Sequence, residues 1–391
     1  MKIAIMTCGM LPIPAVQGGA VENLIDFYLE YNDIHQLHDI TIYSPWDAKV
    51  KKHPALSSNV NHYVYIDITS LKARIERRIY KYFHSNEYYN HFIEYYFEQV
   101  YKDFKKKNFD CIILENSPGH AYKLSQRGYK NIILHLHNDL LHMNSRCHDV
   151  ISNSLTKVIT VSDYLKMRVS TVYPSDKIQT IYNGIDLKNF LPNGTFHASR
   201  KTLGFSEEDF VIAYSGRINQ EKGISELIDA LLQLREIPQI KLMALGSSFF
   251  DDAKIENTFI RSLKEKAKDI EDRIVFTGFI PYKKVPEYLH LADIAVLPSM
   301  WEEPFGLTIV EALAAGLPLI TTRSGGIPEI CEGVATIIER DNIVNHLTSA
   351  ILNLYEHPEK RTYMTKGSLE RAKLFDKRTF TKNFFAAIED C

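Results

Sequence analysis

Two glutamates in the second half of the chain have positions that suit ligand binding. Glu303 lies in a polar loop just after the apolar run 294–297, and Glu311 lies in the helix-forming run that follows, with seven residues between the two. A strand, a loop and a helix in this order build a ligand site at the carboxyl end of a parallel sheet. The sequence neighbours of Glu311 are apolar, and a buried carboxylate needs a partner because an unpaired buried charge is costly. The pattern therefore favours a ligand site over the simpler alternative of two solvated carboxylates.

The turn between the two glutamates contains Pro304, Phe305, Gly306 and Leu307. Gly306 has no side chain, so the backbone can come close to a ligand there. The first N–H groups of the helix that begins here have no partners within the helix, and such groups attract anions and hydroxyl oxygens. We therefore expect this turn to contact a ligand that carries phosphate or several hydroxyl groups.

Two cations follow an earlier strand-like segment. Arg217 and Lys222 flank a loop that starts at Gly216, shortly after the apolar run 210–214. A guanidinium group forms paired hydrogen bonds with phosphate oxygens, and a lysine supplies a point charge. An exposed basic turn would have the same composition, but the glutamate motif further along the chain favours a phosphate site.

Two glycines in the first half of the chain give a weaker signal. Gly18 and Gly19 lie between the first strand and the first helix. Their backbone N–H groups could face a phosphate or a sugar, although an ordinary strand-to-helix turn looks the same. The dinucleotide fingerprint G-x-G-x-x-G is absent there, so these glycines do not support a nicotinamide enzyme.

Two histidines share one face of a later strand. His135 and His137 are two residues apart near its carboxyl end, and alternate residues of a strand point to the same face. A histidine in such a position is more often a satisfied core residue than a ligand. We treat His135 as structural and keep His137, which precedes Asn138 and Asp139, as a site candidate.

The elements that must position these residues alternate regularly. Short apolar segments typical of strands alternate with helical segments in both halves of the chain. This alternation predicts an α/β fold with parallel sheets covered on both faces. The polar stretch 187–206 is the best linker, which gives an N-terminal domain at 1–195 and a C-terminal domain at 196–376. The last segment, 377–391, has three phenylalanines on one side of a predicted helix.

The composition is ordinary for a soluble globular protein. The chain has 391 residues, of which 45% are hydrophobic and 24% charged, and this length suits two or three domains. A formal net charge of -2 argues against nucleic acid as a partner. The five cysteines include no C-x-x-C pair, which indicates free thiols in a reducing cytosol and neither disulfides nor zinc. No run approaches the roughly 18 apolar residues of a membrane span, so we expect a cytoplasmic protein.

Residues 70–107 combine many lysines and arginines with many tyrosines and phenylalanines. The favoured interpretation is a pair of helices packed on the first domain, with tyrosine hydroxyls and lysine ammonium groups reaching solvent. The alternative is a peripheral contact with the inner membrane surface. There the cations would meet anionic headgroups close to a lipid-linked acceptor.

The motifs of the second half resemble those of retaining glycosyltransferases with the GT-B fold, and they are most similar to the GT4 family. The resemblance rests on Glu303 and Glu311 with Pro-Phe-Gly between them, on the Gly-Leu-Pro that ends the helix, and on the loop with Arg217 and Lys222. It is strong over 214–329. It implies two Rossmann-like, doubly wound parallel-sheet domains that face each other across a cleft, with the last helix crossing back onto the first domain.

The resemblance also implies a role for each matching residue. Glu303 would contact the hydroxyl groups of the donor sugar, and Glu311 those of the ribose. Arg217 and Lys222 would hold the donor diphosphate and stabilise it as a leaving group, and His137 would hydrogen-bond the donor sugar. We therefore take Glu303, His137, Arg217 and Lys222 as catalytic. The remaining donor-binding residues are turn and loop residues, namely Gly18, Gly19, Gly216, Phe305, Gly306 and Leu307.

These implications describe the retaining transfer of a hexose-type sugar from a UDP-sugar to a glycan, a lipid-linked molecule or a protein. The sequence has no D-x-D motif, which the other major glycosyltransferase fold uses to bind metal and nucleotide. We therefore expect neither a metal nor a cofactor. The overall resemblance is nearest to bacterial enzymes that build surface polysaccharides or spore-coat glycans. The alternatives are a nucleotide-sugar epimerase of the same fold and a non-catalytic, glycosyltransferase-like subunit.

Overall fold

The computed structural model describes residues 1–86, 88–191, 198–247 and 258–389. The chain forms two compact units, unit 1 with Met1–Asn183 and Arg378–Cys391, and unit 2 with Gly184–Lys377. Each unit contains one parallel sheet, which confirms the prediction of two Rossmann-like α/β domains. The predicted boundary between residues 195 and 196 lies outside the described residues.

Unit 1 has a seven-stranded parallel sheet with the order β3-β2-β1-β4-β5-β6-β7. Its interior strands are almost entirely buried and rich in isoleucine and leucine, as a parallel sheet covered on both faces requires. The strands are β1 (Lys2–Met6), β2 (Asp39–Pro45), β3 (Asn61–Ile66), β4 (Cys111–Glu115), β5 (Ile132–Leu136), β6 (Leu155–Thr160) and β7 (Ile178–Thr180).

Unit 2 repeats the arrangement with six strands in the order β10-β9-β8-β11-β12-β13. The strands are β8 (Phe210–Ser215), β9 (Ile240–Leu245), β10 (Ile274–Gly278), β11 (Ile294–Leu297), β12 (Leu319–Thr322) and β13 (Thr336–Ile338). All their pairings are parallel.

The strand order reverses at one point in each sheet. In unit 1 β1 lies beside β4, and in unit 2 β8 lies beside β11. The loops that follow two such strands emerge next to each other at the carboxyl edge of the sheet, where open α/β sheets bind their ligands. In unit 2 this topology places the loop of Arg217 and Lys222 next to the loop of Glu303.

Helices connect most of the strands. Unit 1 contains α1 (Ala20–His35), α2 (Leu71–Phe83), α3 (His91–Phe104), α4 (Pro118–Ser125), α5 (His148–Ser154) and α6 (Asp163–Val169). Unit 2 contains α7 (Ile224–Gln233), α8 (Thr258–Lys266), α9 (Val285–Leu289), α10 (Leu307–Ala314), α11 (Ile327–Cys331), α12 (Ile343–Glu356) and α13 (Pro358–Ala372), and α14 (Lys377–Glu389) follows.

The last helix packs within unit 1. Phe384 of α14 stacks on Tyr28 of α1 with 4.3 Å between the ring centroids, and Phe385 meets the same tyrosine edge-on at 6.4 Å. These phenylalanines and Phe380 are buried. Stacked and edge-on aromatic contacts add to the stabilisation from buried apolar area, so this aromatic cluster fixes α14 against α1.

The two helices of the basic, aromatic region 70–107 differ in burial. α3 buries Tyr95, Tyr96 and Phe97, whereas the residue that α2 buries is Ala73. The pair of helices that the sequence favours is therefore present, but nearly all of the buried residues of the pair belong to α3. Over the described ranges, no helix combines the length and the hydropathy needed to cross a bilayer.

Candidate active site

In unit 2, Lys222 and Glu303 form an ion pair between two neighbouring loops. The Lys222 ammonium group bonds Glu303 Oε1, and Ser299 Oγ donates to the same oxygen at 3.0 Å. Both charged side chains are largely buried, with 21% of Lys222 and 9% of Glu303 exposed. Both bonds reach Oε1, and no residue in the described ranges bonds Oε2, so that oxygen and the remaining ammonium hydrogens are available to a ligand.

The backbone around Glu303 is held by the two adjacent loops. The Gly326 N–H donates to the Glu303 carbonyl at 2.8 Å, and the Met300 N–H donates to the Glu221 carbonyl at 2.8 Å. Gly325 has a φ of +51°, and a Cβ at this residue would lie 2.1 Å from the Glu303 carbonyl oxygen. A residue with a side chain cannot make this contact. The position of the Glu303 loop therefore depends on a glycine of the next loop.

Glu311 lies on α10 with 7% of its surface exposed. No residue in the described part of the chain forms a hydrogen bond or ion pair with its carboxyl group. Burial raises the pKa of this carboxyl to about 8, so the group is mostly protonated at neutral pH. The sequence predicts a partner for this carboxyl group, and in the structure a bound proton removes its charge instead. A ligand hydroxyl group that donates a hydrogen bond to the carboxylate could take the place of that proton.

Arg217 differs from Lys222 in having no charged partner. Its side chain is exposed and forms no ion pair with any residue that the structure describes. The Tyr214 hydroxyl donates to the Arg217 carbonyl at 2.9 Å, which fixes the backbone and leaves the guanidinium group free. Gly216, with a φ of +145°, has open space where a Cβ would point. The structure thus brings Lys222 and Glu303 together and leaves Arg217 at the surface of the same loop.

The residues before α10 differ in what they can offer a ligand. Phe305 is buried against Phe375 with 5.8 Å between ring centroids, so a ligand could contact only its backbone. Gly306 caps the start of α10 with a φ of +103° and lines a pocket together with Lys222. Leu307 is half-buried.

Unit 1 contains a second buried cluster, centred on a carboxylate with three partners. Glu115 ends β4, and His135 and His137 lie at the end of the adjacent strand β5. Glu115 Oε2 is 2.9 Å from His137 Nε2 and 3.1 Å from His135 Nδ1. The Tyr28 hydroxyl donates to Glu115 Oε1 at 2.8 Å. All four side chains are buried.

The contacts of this cluster determine its protonation. Burial disfavours the Glu115 anion, but the charges and hydrogen bonds of His135 and His137 outweigh burial and hold the pKa of Glu115 well below its usual range. Burial and His135 lower the pKa of His137 to about 4, against the opposing effect of Glu115. Because an ionised carboxylate can only accept hydrogen bonds, neutral His137 donates from Nε2. Its Nδ1 keeps a lone pair, and no described residue bonds that atom.

The same three side chains could also bind a metal ion. The candidate ligand atoms of Glu115, His135 and His137 lie within 4.8 Å of one another. Two imidazoles and a carboxylate are a ligand set found for zinc and for non-haem iron. In the structure these groups are hydrogen-bonded to one another, so a metal ion would have to replace the hydrogen bonds to Glu115.

The glycine turn of unit 1 leads directly into α1. Gly18 has a φ of +78° with open space around it, and Gly19 has a φ of +109°. A Cβ at Gly19 would lie 2.0 Å from Glu22 Oε2. Glu22 is buried, and its burial raises the pKa of its carboxyl to about 7. The turn thus places two glycines beside a carboxyl group that titrates near neutral pH.

Three residues of these clusters are not singled out by the sequence patterns. Of these, Glu115 could have been found from the sequence, because an acidic residue at the end of an apolar strand is unusual in a parallel sheet. Glu22 stands in the first turn of a helix, where acidic residues are common for reasons of helix stability alone. The bond of Ser299 depends on the conformation of a loop, which no spacing rule predicts.

Comparison with known proteins gives two family matches that together cover most of the chain. The family described as Glycosyltransferase Family 4 matches residues 33–189, and the family described as Glycosyl transferases group 1 matches residues 195–371. The putative glycosyltransferase YtcC of Bacillus subtilis is 30% identical over 385 residues, covering 94% of this chain and 86% of that protein. The chain belongs to the group 1, family 4 glycosyltransferases. The resemblance to the GT4 family that the sequence motifs indicate is therefore confirmed.

This glycosyltransferase is also 28% identical to the spore coat protein SA of Bacillus subtilis over 388 residues, which is 95% of each chain. Among solved structures, it is similar to Anabaena Alr3699/HepE in complex with UDP-glucose, with a TM-score of 0.77, 21% identity and full coverage of both chains. Sucrose-phosphate synthase of Thermosynechococcus elongatus has a TM-score of 0.77 at 20% identity, with 100% of this chain and 98% of that one covered. These likenesses show the GT-B fold.

The His137 tautomer is testable in the intact enzyme. Because Glu115 accepts from Nε2 and the pKa of His137 is about 4, we expect a neutral ring protonated on Nε2 at pH 6. Nitrogen–proton correlation NMR of the labelled imidazole distinguishes the two tautomers and the cation. Glu115→Gln offers an amide that can donate as well as accept, so it should change the His137 pattern. A cationic ring, or a proton on Nδ1, in the wild-type enzyme would contradict the assignment.

Proposed function

We propose that this glycosyltransferase transfers a hexose-type sugar from a UDP-sugar to a glycan, lipid-linked or protein acceptor, with retention at the anomeric carbon. The observation that carries the proposal is a pair of carboxyl groups at the switch point of unit 2, the buried Glu311 on α10 and the anchored Glu303 on the loop that leads into this helix. Support for the donor comes from Alr3699/HepE, which shares the fold and whose solved complexes contain UDP and UDP-glucose.

In this proposal the diphosphate binds the loop after β8 and the start of α10. Arg217 supplies a guanidinium group that no described residue pairs with, Lys222 supplies its remaining ammonium hydrogens, and Gly216 lets the backbone approach. The N-terminus of α10 adds peptide N–H groups. Fixed positive groups of this kind stabilise a departing diphosphate without rearranging during the reaction.

Glu303 and Glu311 have separate tasks. Glu311 accepts hydrogen bonds from the ribose hydroxyl groups, which do not change during the reaction. Glu303 contacts the donor sugar, whose charge and shape change as the glycosidic bond breaks. Because Lys222 and Ser299 already hold Glu303 by one oxygen, we assign it to orienting the sugar and not to nucleophilic attack. The leaving phosphate takes the proton of the attacking hydroxyl group.

Unit 1 contributes His137 and the glycine turn in the same proposal. The lone pair on His137 Nδ1 requires a hydrogen-bond donor, and a sugar hydroxyl group is such a donor. Gly18 and Gly19 present backbone to the donor diphosphate and the acceptor. We also propose that the enzyme acts in the cytoplasm and that residues 70–107 contact the inner membrane surface, where a lipid-linked acceptor would lie.

Substituting the two glutamates tests the assignment of the donor site. We expect Glu303→Gln to lower kcat on the order of a hundredfold with little change in KM, because an interaction that strengthens in the transition state is lost. We expect Glu311→Gln to raise KM and to weaken UDP binding on the order of tenfold, because a charged acceptor of hydroxyl groups is lost. Steady-state kinetics and calorimetry with UDP measure both effects.

Free UDP separates the two residues most clearly, because it lacks the sugar. Glu303→Gln should bind UDP at least as tightly as the wild type, since Lys222 is released from its ion pair. Glu359→Gln on the exposed side of α13 is the matched control and should change nothing. If UDP binding fell in Glu303→Gln and stayed normal in Glu311→Gln, the two carboxylates would have been assigned the wrong way round.

Metal independence is a further part of the proposal. We expect sugar transfer to persist after exhaustive chelation, because Arg217, Lys222 and the N-terminus of α10 already compensate the diphosphate charge. The measurements are activity with a chelator, activity after adding back magnesium or zinc, and the metal content of the purified enzyme. Activity that disappears with the chelator and returns with the ion would refute metal independence. Loss of ion binding in Glu115→Gln would then locate the ion in the cluster of Glu115, His135 and His137.

A further inference from the structure

Helix α2 exposes a continuous apolar stripe. Its members and their exposed fractions are Leu71 75%, Ile75 49%, Ile79 54%, Tyr82 85% and Phe83 73%. At 100° per residue they fall within a sector of roughly 120° along the whole helix. The opposite side carries the buried Ala73, so the stripe faces away from the core of unit 1.

Exposed apolar surface of this extent is unusual for a surface helix. Single exposed apolar residues are common, but five on one face of thirteen residues are not explained by chance exposure. The neighbouring helix α3 has a similar composition and buries its aromatic residues. The exposure is therefore a property of α2 and not of the whole basic, aromatic region.

Three cations follow one edge of the stripe. Arg74, Arg78 and Lys81 are exposed, and by helical position they lie together beside the apolar residues. In the described part of the chain no acidic group pairs with any of them. The other charges of α2 have partners. Arg77 lies over the Phe92 ring at 4.7 Å, Lys72 is 3.8 Å from Glu76, and Glu76 accepts from the Tyr95 hydroxyl at 2.7 Å.

We propose that α2 lies flat in the surface of an anionic phospholipid bilayer. The apolar stripe enters the boundary between headgroups and acyl chains, and Arg74, Arg78 and Lys81 meet the phosphate groups at the same depth. The inference deepens the proposed function and rests on it, because membrane contact brings the enzyme to a lipid-linked acceptor. The contact with the bilayer itself is made by α2.

Charge complementarity favours a bilayer over a second copy of the chain. Two copies that packed their stripes together would bring two sets of unpaired cations close to each other, and like charges destabilise such a contact. An anionic bilayer supplies apolar material below the stripe and negative charge beside it. Tyr82 and Phe83 at the end of the helix add aromatic rings, which suit the interfacial region.

Co-sedimentation with lipid vesicles tests the proposal on the full chain. The vesicles are pure phosphatidylcholine, or three parts phosphatidylcholine to one part phosphatidylglycerol. We expect binding to the anionic vesicles and little to the neutral ones, with the bound fraction falling as salt screens the cations. Ile79→Glu with Phe83→Glu should weaken binding at least about tenfold, because charge enters the apolar stripe. Replacing Arg74, Arg78 and Lys81 by Gln should weaken it on the order of a hundredfold.

The control is Met167→Glu, which adds the same charge at an exposed apolar residue of α6 in the same unit and should bind vesicles like the wild type. UDP binding by calorimetry should be unchanged in every variant, which shows intact folding and separates membrane docking from the donor site. Equal binding to neutral and anionic vesicles, or no binding to either, would overturn the proposal. So would a dimer in analytical ultracentrifugation that Ile79→Glu dissociates, since the stripe would then be an interface between copies.

Discussion

The burial of the Glu311 carboxyl group is the constraint on which the candidate donor site depends. The group lies inside an apolar helix with no protein partner among the described residues, and its burial keeps it mostly protonated at neutral pH. Such an arrangement costs stability, because an unpaired polar group has been removed from water. The cost is understandable if a ligand supplies the missing hydrogen bonds. Proteins keep such destabilising arrangements mainly at functional sites.

The other two carboxylates show how the same chemical group is used differently. Glu303 is fixed by Lys222 and Ser299 through one oxygen, and its loop is fixed through a glycine contact. Glu115 is fully satisfied by three donors, and by accepting from His137 Nε2 it leaves Nδ1 of that ring as an acceptor. One carboxylate is therefore held for orienting a ligand, one sets the tautomer of a histidine, and Glu311 alone awaits a partner.

The sequence predicts the fold well because parallel strands buried on both faces are short apolar runs. It also predicts Glu303 and Glu311 as ligand-binding residues, because each carboxylate lies next to an apolar run, where a charged residue is unexpected. It does not predict α13, whose sequence is mostly polar and which buries Met364, Ser368 and Ala372. Nor does it separate α2 from α3, because composition alone does not tell which helix packs against the sheet. An acidic residue at the end of an apolar strand makes Glu115 noticeable, but its contacts with His135 and His137 depend on the pairing of β4 with β5, which is a tertiary relationship.

The most direct test is the number of protons released when UDP binds. At pH 7 the Glu311 carboxyl, with a pKa of about 8, is mostly protonated, and ribose hydroxyl groups that donate to its carboxylate form would expel the proton. Calorimetry in two buffers with different ionisation enthalpies measures this release, and Glu311→Gln corrects for the protons of UDP itself. We predict that the wild-type enzyme releases about one proton more than the variant. Equal proton exchange in the two proteins would contradict the role of Glu311 in binding the ribose.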